Sequence, residues 1–169
     1  MNCTSECVVS DAGPLIGLAI VDALPWLKNM FSSVLIPEAV ATELCLESDM
    51  PGAKALAIAQ KQGWLQIMSV EDVPAHLLSV VDRGEAEAIT LAKEKGLPLL
   101  IDESRGRMVA RGEAVSVFGT GAVLLRAKEW NLVPLVRPFI DALTEAHYRI
   151  SDQLRIDILR RAGEFDATN

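Results

Sequence analysis

Five acidic side chains stand where carboxylates could act together. Asp11 closes the apolar run CVVSD, and Asp102 and Glu103 close a second one, LPLLIDES. Glu43 falls in the second turn of the segment PEAVATELCLES, and Glu85 in the first turn of GEAEAITLA. Like charges gathered in one place repel, and their pKa values rise unless a cation compensates them. Oxygen-only donors with no His or Cys beside them suit a hard ion, Mg2+ or Mn2+. Such an ion lowers the pKa of a water and stabilises charge on phosphoryl oxygens. The chemistry implied is phosphodiester hydrolysis.

Whether these acids meet depends on the elements that carry them. Short runs rich in Val, Ile and Leu at 7–10, 33–36, 65–68, 97–101 and 114–117 are continuous rather than alternating in polarity. That pattern is expected of parallel strands covered on both faces. Helical segments separate them: 14–19, 24–30, a stretch opened by Pro37, another following Pro51 and stopping at Gly63, then 82–96, 119–130, and a last helix capped by Ser151. Strands alternating with helices predict a doubly wound α/β fold, whose site lies at the carboxyl ends of the strands where strand order reverses. If the first and fourth strands are neighbours there, Asp11 and the 102–103 pair converge, and Glu43 and Glu85 lean over the same edge.

Each acid also has a purely structural use. Asp11 can cap the helix after it, and Asp102 or Glu103 can cap SRGRMVA. Asp82-x-x-Glu85 has capping-box spacing, and Glu43, near Glu38 and Glu47, can be one more solvated acid. No single acid decides between these uses. Their joint placement is the signal.

The bulk properties narrow the field. With 169 residues, half of them hydrophobic and 23% charged, the chain reads as one globular domain. No apolar run approaches the roughly 18 residues that span a bilayer, and MNCTSECVVS lacks a secretory pattern, so a cytoplasmic location is expected. Cys3, Cys7 and Cys45 form no CxxC pair and read as free thiols. A net charge of −7 and a pI of about 4.8 argue against broad phosphate-driven binding, though not against a local basic strip. SRGRMVAR, with Arg105, Arg107 and Arg111, is one such strip. Arg149, Arg155, Arg160 and Arg161 form another. His76 and His147 stand apart from any nucleophile motif, and there is no G-x-S-x-G. Trp26, Trp64 and Trp130 lie singly in apolar contexts and read as packing residues, and Gly119-Thr120-Gly121 lacks the remaining residues of a phosphate loop.

The segments VVSDAGPLIGLA, LIPEAVATEL, DRGEAEAITLAKEKG, LLIDESRGRMVAR and VFGTGAVLLRAKEWN, in this order, resemble a PIN domain of a prokaryotic branch long described only as a domain of unknown function. The resemblance covers nearly the whole chain. It implies a three-layer α/β/α domain over 1–169 with a parallel five-stranded sheet, order 3-2-1-4-5, and C-terminal helices from about 134–163 packed on it. It also implies an acidic Mg2+ or Mn2+ site. Asp11, Glu43, Glu85 and Asp102 match the catalytic acids, with Asp11, Glu85 and Asp102 as metal ligands. Glu103 is the second candidate for the fourth acid, and Ser10 and Thr120 match supporting hydroxyls. Where many relatives carry a hydroxyl-bearing triplet at the first strand, this chain has Asp11-Ala12-Gly13. The implied activity is that of a metal-dependent endoribonuclease, with RNA bordered by Arg105, Arg107 and Arg111. The implied context is the toxin of a toxin–antitoxin pair, held by a small antitoxin and working as a homodimer.

Two rival readings follow from the same residues. A PIN-fold interaction module with an idle site fits the altered triplet and the acidic pI. A phosphate-receiver domain with Asp11 as acceptor wants an acid pair at the first strand and a Lys after the fifth, where this chain has Phe118-Gly119.

Overall fold

In a computed structural model, residues 6–165 are described. Cys3 lies outside them; Cys7 and Cys45 are free thiols. The chain forms two compact units, one ending at Gly119 and the other beginning at Thr120.

The first unit is built on the apolar runs. β1 (Cys7–Ser10), β2 (Ser33–Pro37), β3 (Leu65–Met68), β4 (Leu99–Leu100) and β5 (Val117–Phe118) form one parallel sheet in the order β3-β2-β1-β4-β5. Val8, Val9, Val34, Ile36, Leu99 and Leu100 are fully buried, as expected of strands covered on both faces. Around the sheet lie α1 (Ala12–Ile20), α2 (Pro25–Met30), α3 (Glu38–Leu44), α4 (Ala53–Lys61), α5 (Ala75–Leu78), α6 (Arg83–Lys95) and α7 (Ser104–Gly112). α6 packs on β1, β2, β4 and α3. Its small apolar residues, Ala86, Ala88 and Ala92, let its backbone come close to the strands and join the core around Val9, Leu35 and Ile101.

Local chemistry moved several boundaries from those predicted. α1 starts at Ala12 rather than Pro14, since a proline in a first turn forfeits an N–H that has no helical partner anyway. Pro37 ends β2 and stands at the N-cap of α3, one position before the predicted first turn. β4 is shorter than 97–101 because α6 ends on Gly96 (φ +64°), which folds the Leu97 N–H back to the Ala92 carbonyl. β5 starts later than 114 because Ala114 turns at φ +61° and the Val115 N–H returns to Ala110. α5 and the full length of α7 were not foreseen.

The second unit contains α8 (Thr120–Glu129), α9 (Arg137–Glu145) and α10 (Asp152–Arg161). α8 packs on α10, where Gly121 meets the Ile158 side chain so closely that a Cβ would stand 2.7 Å from it. Ser151 caps α10 as expected, accepting the Leu154 N–H at 3.2 Å.

Candidate active site

β1 and β4 are neighbours, and the strand order reverses between them: β2 and β3 lie on one side, β5 on the other. The pairing of Ser10 with Leu100 brings the next residues, Asp11 and then Asp102, to one edge of the sheet. The Asp11 N–H donates to the Leu100 carbonyl at 3.0 Å, so the ladder runs on into the acid itself.

Asp11 occupies the N-cap position of α1, yet its side chain makes no capping hydrogen bond. The structural use that the sequence left open is therefore not the one seen. The residue is only 9% exposed. Ser10 is buried and its Oγ donates to the Asp11 carbonyl at 2.9 Å, bracing the backbone rather than touching the carboxylate.

Glu85 serves two ends at once. Asp82 Oδ1 accepts the Glu85 N–H at 2.8 Å and Glu85 Oε2 accepts the Asp82 N–H at 3.3 Å, a reciprocal capping box. Its other oxygen faces Gly106 on α7, where a Cβ would lie 2.6 Å from Oε1. Glu43, in the second turn of α3, is open to solvent as a residue, but its carboxylate leans on Gly84 so closely that a Cβ there would overlap it. Asp102 Oδ1 and Arg107 Nη1 crowd Gly119 in the same way, at 2.6 and 2.7 Å from a Cβ built there. Glycines on three neighbouring segments thus leave room for three carboxylates.

Asp102 and Glu103 part company after β4. Glu103 is the N-cap of α7 and accepts the Arg105 N–H at 3.4 Å. Asp102 stays at the strand end. Asp82, which the sequence offered only as a cap, bears on Asp11, Glu43 and Glu85 alike through its charge.

The electrostatics follow from this crowding. Burial pushes the Asp11 carboxyl up to about 6, and the charges of Asp82 and Asp102 add to it. The N–H groups of Ala12 and Gly13 oppose the rise without closing into a capping bond. Glu43 is pushed to about 7, first by the burial of its carboxylate and then by Asp82 and Asp11. Glu85 also reaches about 7, through burial and the charges of Asp82, Asp11 and Glu103, against the Asp82 N–H. Among the described residues, backbone N–H groups oppose the rises at Asp11 and Glu85, and no lysine or arginine offsets any of the three.

The three arginines do not form one strip. Arg105 and Arg111 are exposed on α7, and among the described residues neither makes an ion pair. Arg107 is half-buried and turns inward, its Nη1 donating to the Ile101 carbonyl at 3.0 Å. Burial lowers its pKa, Arg111 lowers it further, and Asp102 opposes the shift. Thr120, the first residue of α8, is buried and belongs to the second unit.

The donor set suits a hard divalent cation, because every candidate ligand is a carboxylate oxygen and, among the described residues, no lysine or arginine offsets the charge on Asp11, Glu43 or Glu85. Among the described residues, no three acidic, histidine or cysteine side chains stand close enough together to enclose one ion in the rotamers seen. Binding therefore requires carboxylates to turn toward it, which the long stem of Glu85 permits.

A parallel 3-2-1-4-5 sheet with acids at the β1/β4 reversal defines an α/β protein of the PIN-like class. The sequence profile described as a PIN domain matches residues 7–164, and the chain belongs to that family. PIN domains are generally nucleases that use divalent metal ions. The fold is shared with a PilT N-terminus domain protein from the hyperthermophilic archaeon Sulfolobus solfataricus P2, at 16% identity and a TM-score of 0.51, covering 72% of this chain and 92% of that one. No curated protein sequence matches. Among the described residues, no helix is long and apolar enough to cross a membrane.

Proposed function

We propose that this PIN-domain protein is a Mg2+- or Mn2+-dependent endoribonuclease. The observation that carries the reading is the meeting of Asp11 and Asp102 at the strand reversal, with Glu43 and Glu85 reaching in from α3 and α6 and, among the described residues, no basic side chain offsetting the charge on Asp11, Glu43 or Glu85. Asp11, Glu85 and Asp102 are the ligands of the ion, and Glu103 is left to its cap. The ion, when bound, makes a water more acidic and stabilises charge on the phosphoryl oxygens. Glu43, the most open of the four acids, takes the proton from the attacking water. Arg107 steadies the strand end beside Asp102, and Arg105 and Arg111 hold flanking phosphates of the RNA.

Cleavage of a mixed RNA pool in Mn2+, Mg2+ and EDTA, with Asp11→Asn in parallel, tests this reading. Cutting in either metal, abolished by EDTA and by the substitution, is the expected result. A folded wild-type protein that cuts in neither metal overturns it in favour of an interaction module. The toxin role, a small antitoxin partner and a homodimer rest on the family resemblance alone. Growth arrest on expression, its relief by a co-expressed neighbouring small protein, and sedimentation of the purified chain test them in turn.

A further inference from the structure

Glu87 sits one helical turn beyond Gly84 on α6 and is 4% exposed, an unusual place for a carboxylate. One of its oxygens leaves its own helix: Oε2 accepts the Ala39 N–H at 3.1 Å, across 48 residues of sequence. Ala39 is in the first turn of α3, whose N-cap residue, Pro37, has no side-chain acceptor to offer. Glu87 thus supplies from α6 the cap that α3 cannot supply for itself. Its other oxygen accepts from Arg83 Nε at 2.8 Å, and the Arg83 side chain is largely exposed. The carboxylate is thereby held at the boundary between the two helices by a donor from each.

The consequence reaches the site. Ala39 and Glu43 lie one turn apart on α3; Glu87 and Gly84 lie one turn apart on α6. Ala39 meets Glu87, and Glu43 meets Gly84. The two contacts run in opposite order along the two helices, so α3 lies antiparallel to α6 and is indexed against it at both ends of a single turn. α3 has only seven residues, so fixing its first turn fixes the residue in its second. We propose that Glu87 is a positioning residue that sets Glu43 against the metal site by capping α3 from α6. This rests on the nuclease reading of the site, which it deepens.

The test is Mn2+ affinity, measured by electron paramagnetic resonance titration of the intact protein, with thermal melting as a check on folding. Glu87→Ala, which loses the cap, is expected to weaken Mn2+ binding about tenfold or more, because Glu43, though not one of the three ligands, would hold the ion's water as its proton acceptor. Glu87→Gln keeps an acceptor for Ala39 and is expected to stay within about threefold of wild type, and Arg83→Ala likewise. In a Glu43→Gln background, Glu87→Ala should add nothing, because the residue through which it acts is already disabled. Should Glu87→Ala fail to fold, Glu87→Leu and Glu87→Gln carry the same comparison. Wild-type Mn2+ affinity in Glu87→Ala, or an equal loss with and without Glu43, overturns the positioning role while leaving the nuclease reading intact. No Mn2+ binding by the wild type overturns both.

Discussion

Two carboxylates that burial pushes up, Asp11 in the first unit and Glu164 in the second, resolve that penalty in opposite ways. Burial pushes the Glu164 carboxyl up, but Lys128 Nζ donates to it at 2.7 Å, and the N–H groups of Val136 and Arg137 at 2.8 and 2.9 Å. The net effect holds it below the ordinary glutamate value. Lys128 Nζ also donates to the Ala162 carbonyl and Arg137 to that of Glu164, so the carboxylate ties the chain after α10 to α8 and to the start of α9. Asp11 has the burial without, among the described residues, a cationic partner, and its pKa rises. A carboxylate that fastens structure is given every donor within reach. One that is to hold a ligand must be left wanting, and the fold carries that cost. Glu87 belongs with Glu164: buried, paired and fully used.

The largest expected effect is on the fastened carboxylate. Glu164→Ala should destabilise the protein by about 3 kcal/mol, since it strands Lys128 and frees two N–H groups, and urea unfolding measures this. A loss below about 1 kcal/mol would remove the contrast. Asp11→Asn should do the reverse, stabilising the metal-free protein at pH 8 by on the order of 1–2 kcal/mol. The sign follows from proton binding. Asp11, Glu43 and Glu85 titrate near 6 to 7 in the folded chain, and in the unfolded chain near the ordinary carboxyl values of 3.8 and 4.5. Between those values the folded state binds more protons, so metal-free stability falls as pH rises through about 4 to 7. Glu164, depressed in the folded state, contributes stability that is lost only at lower pH, as the solution falls through its folded pKa. A flat melting profile from pH 5 to 8 in wild type would show that the edge acids carry no such cost.

Gly84→Ala is expected to separate activity from stability. Alanine suits a helix better than glycine, by up to about 1 kcal/mol in an interior and by less in the first turn where Gly84 stands, yet its methyl displaces the Glu43 carboxylate. Cleavage should drop about tenfold or more with the melting point held or raised. The smallest effect is expected of Arg105→Gln, a few-fold weaker RNA binding with a shallower dependence on salt, by about one unit in the log–log slope.

Much of the site could be read in the sequence because strand ends and cap spacings are local. The run CVVSD and the run LLID announce an acid at the end of a buried strand without knowledge of any partner. The strand order then came from a family likeness rather than from periodicity, and the sheet has that order. Asp82 and Glu87 were not legible as members of the site. Asp82 looks like an ordinary cap, which it is; only the packing of α6 beside α3 and β1 turns its charge on Asp11 and Glu43. Glu87 sits in a run of alanines and acids that reads as a helix exposed on one face, while its partner, the Ala39 N–H, lies 48 residues away. The three arginines of SRGRMVAR share one helix, but spacing alone does not reveal that Arg107 turns inward to the Ile101 carbonyl.

The central claim is that Asp11, Glu43 and Glu85 are left, among the described residues, without a lysine or arginine to offset their charge, so that a divalent cation can supply it. It is tested most directly by melting wild type and Asp11→Asn at pH 8, each in EDTA and in Mn2+. The account predicts that Mn2+ raises the wild-type midpoint by several degrees, that Asp11→Asn starts higher in EDTA, and that it gains little from Mn2+. Equal responses of the two proteins to Mn2+, or no response from the wild type, would contradict it.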